Sequence, residues 1–95
     1  MTTVTVSKKG TKYIFSAEGH SGYGPAGQDI VCAGVSALCF ALAVSVRPYQ
    51  FETSEGNMYI CFDKKYKREL NMAVNGLCEI EKKYPNHLIV FKKSS

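Results

Sequence analysis

The chain has 95 residues, which is enough for one domain over residues 1–95 and too few for two. Hydrophobic residues make up 45% and charged residues 21%, as in a soluble globular protein. The formal net charge of +4 is spread along the sequence, whereas a nucleic-acid footprint is denser and better focused. Composition therefore excludes a second domain and gives no reason to expect that direct contact with nucleic acid is required.

Two strands open the chain. Threonine and valine alternate over residues 2–7, which predicts a strand with one buried face, and residues 13–17 predict the returning strand. The turn between them, KKGT, places Gly10 where a positive φ is common. The resulting hairpin is expected to end at Glu18, Gly19 and His20.

A glycine-rich segment comes next, and its three glycines and one proline predict a mobile loop. The predicted loop residues are Ser21, Gly22, Tyr23, Gly24, Pro25, Ala26 and Gly27.

An apolar helix follows this loop. Asp29 is a good N-cap, so the helix is predicted to begin at Ile30 and to run to about Val46, before Pro48. It is apolar nearly all round, which predicts burial on every side. A two-layer domain of this size has difficulty covering such a helix alone, so we expect a second copy of the chain to cover part of it.

The second half repeats the pattern of two strands and a helix. Residues 49–53 and 58–63 predict strands joined by a tight turn, SEGN, at residues 54–57. Residues 64–84 predict an amphipathic helix, and residues 87–92 predict a last strand. The order ββαββαβ predicts an α+β, two-layer fold with a mostly antiparallel sheet and two helices.

The cysteines do not form a metal motif. Without a CxxC pair the usual zinc spacing is absent, so we expect no metal and no other cofactor. The first ten residues, MTTVTVSKKG, lack the apolar segment of a signal peptide, which predicts a cytoplasmic protein with reduced thiols. The longest uncharged run, residues 30–46, is shorter than the roughly 20 apolar residues of a membrane span, so no membrane partner is expected.

Cys32 and His20 are the candidate catalytic pair. With Asp29 as N-cap, Cys32 is the third residue of the helix, where the positive end of the helix dipole lowers the pKa of a thiol. His20 is predicted at the end of a strand, and a glycine-rich loop can return the chain to the thiol. A Cys-His pair is the minimum for thiol acyl transfer, with free backbone N–H groups as an oxyanion site.

The candidate site residues also have ordinary structural explanations. A cysteine in an apolar helix is ordinarily a small buried hydrophobe, and a histidine at a strand end is ordinarily solvated. Asp29 serves either as a cap or near the site. Ser36, one turn after Cys32, lies near the site or bonds back to a helix carbonyl. Asn86 and His87 are explained by a turn and the edge of a strand.

The stretch GHSGYGPAGQDIVCAGVSAL, residues 19–38, resembles the signature of the bacterial ribosomal-processing cysteine protease family, Prp. The shared pattern is a Gly-His, a short glycine-containing loop, Asp-Ile-Val-Cys-Ala and Val-Ser-Ala. The resemblance implies that Cys32 is the nucleophile and His20 the general acid and base. Asp29 and Ser36 match family positions near the site, and residues 21–27 match a mobile segment.

The resemblance also implies a substrate and an assembly. Family members are homodimeric endopeptidases that remove a short N-terminal extension from large-subunit ribosomal protein twenty-seven, cutting after a phenylalanine. Two other functions stay open at this point. One is a non-catalytic module that binds a ribosomal protein or RNA through its lysines, and the other, weaker one is a redox or metal-binding thiol protein.

Overall fold

The computed structural model describes residues 1–19, 26–54 and 56–93, and for residues 26–30 it describes the backbone alone. The elements follow the predicted order ββαββαβ, with a short 3-10 turn, Lys64–Tyr66, before the second helix. Their bounds are β1 (Thr2–Lys9), β2 (Lys12–Glu18), α1 (Ala26–Ser45), β3 (Gln50–Ser54), β4 (Asn57–Asp63), α2 (Lys67–Lys83) and β5 (Leu88–Lys93).

The five strands form one sheet in the order β3-β4-β2-β1-β5. Neighbouring strands are antiparallel except β1 and β5, which are parallel. Gly10 makes the β1–β2 turn with a φ of 62°, a conformation that glycine adopts without steric cost. The predicted α+β fold with a mostly antiparallel sheet is therefore confirmed.

One face of the sheet carries the core. Alternate residues of β1, β2 and β4 point to this face, as the period of a half-buried strand requires. Both helices add their buried residues to the same cluster, so the domain has two layers. The largest fully buried side chains include Phe15, Phe62, Leu42, Ile60 and Leu77.

The two helices approach closely at a pair of glycines. A Cβ on Gly34 of α1 would lie 3.0 Å from Ile80 Cδ1, and a Cβ on Gly76 of α2 would lie 2.9 Å from Leu38 Cδ1. At each of these glycines the helix has no side chain of its own, and a large side chain of the other helix occupies the space. These contacts also show that α1 and α2 run in opposite directions.

The start of α1 differs from the prediction. The helix begins at Ala26, four residues before Ile30, so the prediction that Asp29 is the N-cap is wrong. Ala26 and Gly27, predicted to be loop, are helical, while the predicted loop residues 21–25 lie outside the described residues. A long helix gains a further turn at little cost, because propagation needs no new nucleus and alanine and glutamine favour it despite Gly27.

The burial of α1 also differs from the prediction. Its residues are not covered on every side, because Phe40 is 52% exposed and Val44 is 81% exposed. Ala33, Ala37 and Ala41 are exposed as well and lie on the same side of the helix. The helix ends at Ser45, and Arg47, before Pro48, has a φ of 44° and so leaves the right-handed helical region as predicted.

Gly19 is the position where we expect an alanine substitution to be most harmful. Its φ is +78°, and an added Cβ would lie 2.5 Å from the backbone oxygen of Met1. Gly10, with a φ of +62° and open space around it, is the matched control. We expect Gly10→Ala to lower the free energy of unfolding by about 1 kcal/mol, and Gly19→Ala to lower it further because backbone must also move. Urea denaturation measures both, and equal losses would contradict the close contact with Met1.

Candidate active site

Cys32 is the seventh residue of α1 and its side chain is buried, with 6% exposure. The predicted third position is therefore wrong, and the thiol lies one turn further along the helix. The dipole's effect falls off beyond the first turn, and the free N–H groups of a helix belong to its first four residues. Proximity to the helix start is thus a weaker source of thiol activation than the sequence suggested.

Four residues of α1 line a cavity on the same side of the helix as Cys32. Val35, Ser36, Cys39 and Phe40 follow Cys32 by three, four, seven and eight residues, which is the spacing of one helix face. The cavity has a volume of about 110 Å³ and a mostly apolar lining. Cys32 therefore lies one helical turn before the cavity wall. Ser36, four residues after Cys32, lies on that wall and on the same helix face as Cys32.

The opposite wall of the cavity comes from the sheet. Ala17 of β2 and Met58 of β4 lie beneath it, and the β3–β4 turn forms its rim. The rim residues are Thr53, Ser54, Gly56 and Asn57. Sequence reasoning missed this rim, because these polar turn residues lie more than twenty positions from Cys32 and carry no motif.

A hydrogen bond connects the rim to the segment that carries His20. The backbone N–H of Gly19 donates to Oδ1 of Asn57 at 3.3 Å. Gly19 directly precedes His20, which lies outside the described residues. The cavity is therefore bordered by the helix of the predicted nucleophile and by the chain leading to the predicted base.

The other predicted site residues are placed in part. Ser36 lines the cavity. Asp29 lies in the first turn of α1, where the structure describes its backbone alone. His87 belongs to the turn before β5, since its N–H donates to the Tyr84 carbonyl at 3.0 Å and its own carbonyl accepts from the N–H of Thr2 at 2.9 Å.

Cys39 is a second thiol at the cavity, but it is poorly suited to be a nucleophile. It is 2% exposed, and burial raises the pKa of its thiol to about 12. Only the thiolate attacks a carbonyl effectively, so Cys39 stays in its inert form at neutral pH. Cys32 is also buried, at 6% exposure, but it belongs to the same motif as His20 and is therefore the better candidate of the two.

The described residues show neither a metal-binding cluster nor a membrane-spanning helix. Where side chains are described, in residues 1–19, 31–54 and 56–93, no group of three or more histidine, cysteine, aspartate or glutamate side chains is arranged to hold a metal ion. In the same part of the chain, no helix has the length and hydropathy needed to cross a membrane.

The family model of the cysteine protease Prp matches residues 1–89. No curated protein matches the chain.

Three solved structures are similar over nearly the whole chain. The first is the essential ribosomal processing protease Prp from S. aureus with a substrate peptide: 26% identity, TM-score 0.79, 98% of this chain and 100% of that one. The same protease with a covalently linked product peptide has 27% identity and a TM-score of 0.77, with the same coverage. SMU.848 from Streptococcus mutans has 21% identity and a TM-score of 0.75 over 100% of this chain and 96% of its own, which shows the shared fold alone.

The family model covers almost the entire chain, and the fold and the length both agree with the solved Prp structures. This chain belongs to the Prp family of cysteine proteases.

Proposed function

We propose that this protein is a cysteine endopeptidase that acts in the cytoplasm and removes the short N-terminal extension of large-subunit ribosomal protein twenty-seven, cutting after a phenylalanine. The observation that carries this proposal is the cavity on the Cys32 face of α1, whose rim is hydrogen-bonded to the residue before His20. The similar S. aureus protein, a ribosomal processing protease solved with substrate and product peptides, supports the same activity.

The proposed reaction has two steps. The sulfur of Cys32 attacks the carbonyl carbon of the phenylalanine, while His20 accepts the thiol proton and then gives it to the leaving amine. The acyl group stays on Cys32 as a thioester. In the second step His20 takes a proton from water, the hydroxide attacks the thioester, and the proton returns to the Cys32 sulfur. Since Cys32 is buried, its thiol must be uncovered before a substrate carbonyl can reach it.

The cavity is the proposed site for the phenylalanine side chain. Its volume of about 110 Å³ approaches that of an engineered apolar cavity of about 150 Å³ that binds benzene. Its open side is bordered by the exposed ring of Phe40, which extends the apolar surface available to the substrate. Ser36 and Asn57 supply polar groups at the edge, where the peptide backbone of the substrate would lie.

A homodimer is the proposed assembly. The exposed side of α1 forms an apolar stripe, which we define as Ala33, Ala37, Phe40, Ala41 and Val44. Small residues on this stripe let a second helix approach closely, and Phe40 and Val44 supply apolar area to bury. The stripe borders the cavity at Phe40, so the dimer interface and the substrate cavity would be neighbours.

The nucleophile is tested by a matched pair of cysteine variants. We expect Cys32→Ala to reduce cleavage of a peptide spanning the extension junction at least about 1,000-fold, because the acyl acceptor is lost. Cys61→Ala removes a partly buried thiol on β4 that does not line the cavity, and it should leave the rate nearly unchanged. His20→Ala should reduce the rate about 100-fold or more.

Mass spectrometry of the reaction products measures both the rate and the position of the cut. A folded wild-type protein that leaves both the peptide and the full-length ribosomal protein uncut would contradict the peptidase and favour the non-catalytic binding module.

The role of the cavity is tested at Phe40. We expect Phe40→Ala to reduce the preference for phenylalanine over alanine before the cleaved bond by about 10-fold, because one apolar wall is lost. The measurement is the ratio of kcat/KM for two peptides that differ at that residue. Met72→Ala removes another exposed apolar side chain, 62% exposed on α2, and should leave the ratio unchanged. If Phe40→Ala leaves this ratio unchanged, the proposed role of the cavity in substrate selection is contradicted.

The assembly is tested at Val44, which does not line the cavity. Val44→Lys places a charge within the proposed interface, so we expect the dimer to dissociate to monomers. Met72→Lys is the control and should stay dimeric. Sedimentation equilibrium measures the masses, and a monomeric wild type at high concentration would contradict the proposed dimer.

A further inference from the structure

The basic residues, which are dispersed in the sequence, are gathered by the sheet at one end of the molecule. β1 and β5 both end there, β2 begins there, and β4 ends there opposite Lys12. The backbone N–H of Lys64 donates to the carbonyl of Thr11 at 2.9 Å, which brings the start of the 3-10 turn and of α2 to the same end.

We call this surface the basic end. It holds nine of the twelve lysine and arginine residues of the chain, and all nine are exposed. Its members are Lys8, Lys9, Lys12, Lys64, Lys65, Lys67, Arg68, Lys92 and Lys93.

Little negative charge offsets the basic end. Asp63 and Glu69 are the acidic residues that lie there among the described residues. The carboxylate of Asp63 is already engaged, since it accepts from the backbone N–H of Lys65 at 2.8 Å and from the hydroxyl of Tyr49 at 3.0 Å. In the described part of the chain, the one side-chain ion pair, Lys82 with Glu79, lies near the other end of α2. The ammonium groups of Lys12 and Lys65 lie over the rings of Tyr49 and Tyr66, 4.8 and 5.3 Å from the ring centroids. Because no cation of the basic end is in an ion pair among the described residues, all nine can contact an external anion.

The basic end also contains a cleft, whose surface is mostly apolar and which adds hydrogen-bonding groups to the cations. The cleft has a volume of about 160 Å³ and lies between β1, β5 and α2. Three lysines line it, together with four polar side chains of the types that contact phosphate and sugar oxygens in nucleic-acid complexes. These residues are Lys8, Lys92, Lys93, Ser7, Tyr13, Asn71 and Asn75.

The dimensions favour a polymer over a small molecule. The cleft is well below the roughly 300 Å³ at which small-molecule sites begin. Cations follow one another at the ends of four adjacent strands, β4, β2, β1 and β5, and at about 4.8 Å per strand this row is about 14 Å wide. A row of cations around a shallow cleft matches a chain with regularly repeated negative charge, which is the form of a nucleic-acid backbone.

A membrane surface fits less well. Peripheral proteins that bind anionic lipid commonly insert large apolar side chains beside their cations. Two exposed aromatic side chains, Tyr49 and Phe91, lie beside Lys12 and Lys92, but the hairpin tip at the centre of the basic end carries Gly10 and Thr11, which have no large apolar side chain to insert.

We infer that the basic end is a binding site for the phosphate backbone of RNA, separate from the candidate active site. The strands place it roughly 20 Å from the end that carries Gly19 and the start of α1, at about 3.3 Å per residue. One protein can therefore hold RNA and a peptide at once. The choice of RNA over DNA rests on the proposed ribosomal substrate, whereas the site itself rests on charge and topology.

The test compares two sets of lysine substitutions in the full chain. Lys8→Gln, Lys9→Gln, Lys92→Gln and Lys93→Gln together neutralise the three lysines that line the cleft and the adjacent Lys9. Lys82→Gln with Lys83→Gln neutralises cations near the opposite end of α2. Fluorescence anisotropy with a labelled ribosomal RNA fragment, repeated from about 50 to 200 mM salt, measures affinity and its salt dependence.

We expect the wild type to bind the RNA with an affinity that falls steeply with salt. The fourfold variant should bind at least about 10-fold more weakly, with a salt slope lower by about 3 in magnitude, because each neutralised phosphate contributes about 0.7 to 0.9. The control pair should bind like the wild type. Each variant should still cleave the junction peptide at the wild-type rate, since none of these residues lies near Cys32.

Three results would overturn the inference. The first is that the wild type does not bind the RNA at 50 mM salt, and the second is that both variants lose affinity equally. The third is that polyglutamate or anionic vesicles displace the labelled RNA as effectively as unlabelled RNA does when all are compared at equal concentrations of negative charge. Equal affinity for a DNA duplex would overturn the preference for RNA and keep the phosphate site. Peptide cleavage is measured on the same samples, so failure of the peptidase would be visible separately from failure of RNA binding.

Discussion

The close crossing of α1 and α2 determines how the rest of the molecule is used. Gly34 and Gly76 each leave space for a large side chain of the opposite helix, so the two helices lock against each other over one face of the sheet. This contact fixes the rotation of α1 about its own axis. Because the rotation is fixed, one side of α1 enters the core, a second side carries Cys32 and the cavity, and a third side remains exposed.

The three sides of α1 explain why a helix that is apolar nearly all round is useful in a small domain. The core side supplies stability, the cavity side supplies an apolar wall next to a thiol, and the exposed stripe from Ala33 to Val44 is the surface of the proposed dimer. Phe40 lies where the cavity side meets the stripe. In the proposed dimer, substrate selection and assembly would therefore depend on neighbouring parts of one helix.

The sheet places two chemically different surfaces, an apolar cavity and a cationic surface, at opposite ends of its strands. Where β2 ends and β4 begins, Gly19 and Asn57 are joined by a hydrogen bond at the rim of an apolar cavity. At the other end of the strands, the same register brings together lysines from the hairpin, from the start of α2 and from β5. An apolar site with a thiol thus lies opposite a cationic surface. The cations of the basic end are therefore remote from the Cys32 thiol. Burial in this core raises the pKa of a thiol strongly, as it does at Cys39.

Local patterns in the sequence determined the order of the elements, the hairpin turn at Gly10 and the alternation of β1, because these depend on residues close together in the chain. The motif around residues 19–38 indicated the family, which the family model confirms, and it predicted Cys32 as the nucleophile. Local signals failed at the start of α1, where Asp29 has the chemistry of a cap but propagation carries the helix back to Ala26. They also failed for the exposed stripe, since apolar residues all round a helix do not reveal which side the neighbouring elements cover. Only the tertiary structure decided the rim of the cavity and the basic end, because strand pairing and helix packing bring residues 53, 54, 56 and 57 beside α1 and unite lysines that are up to 85 positions apart.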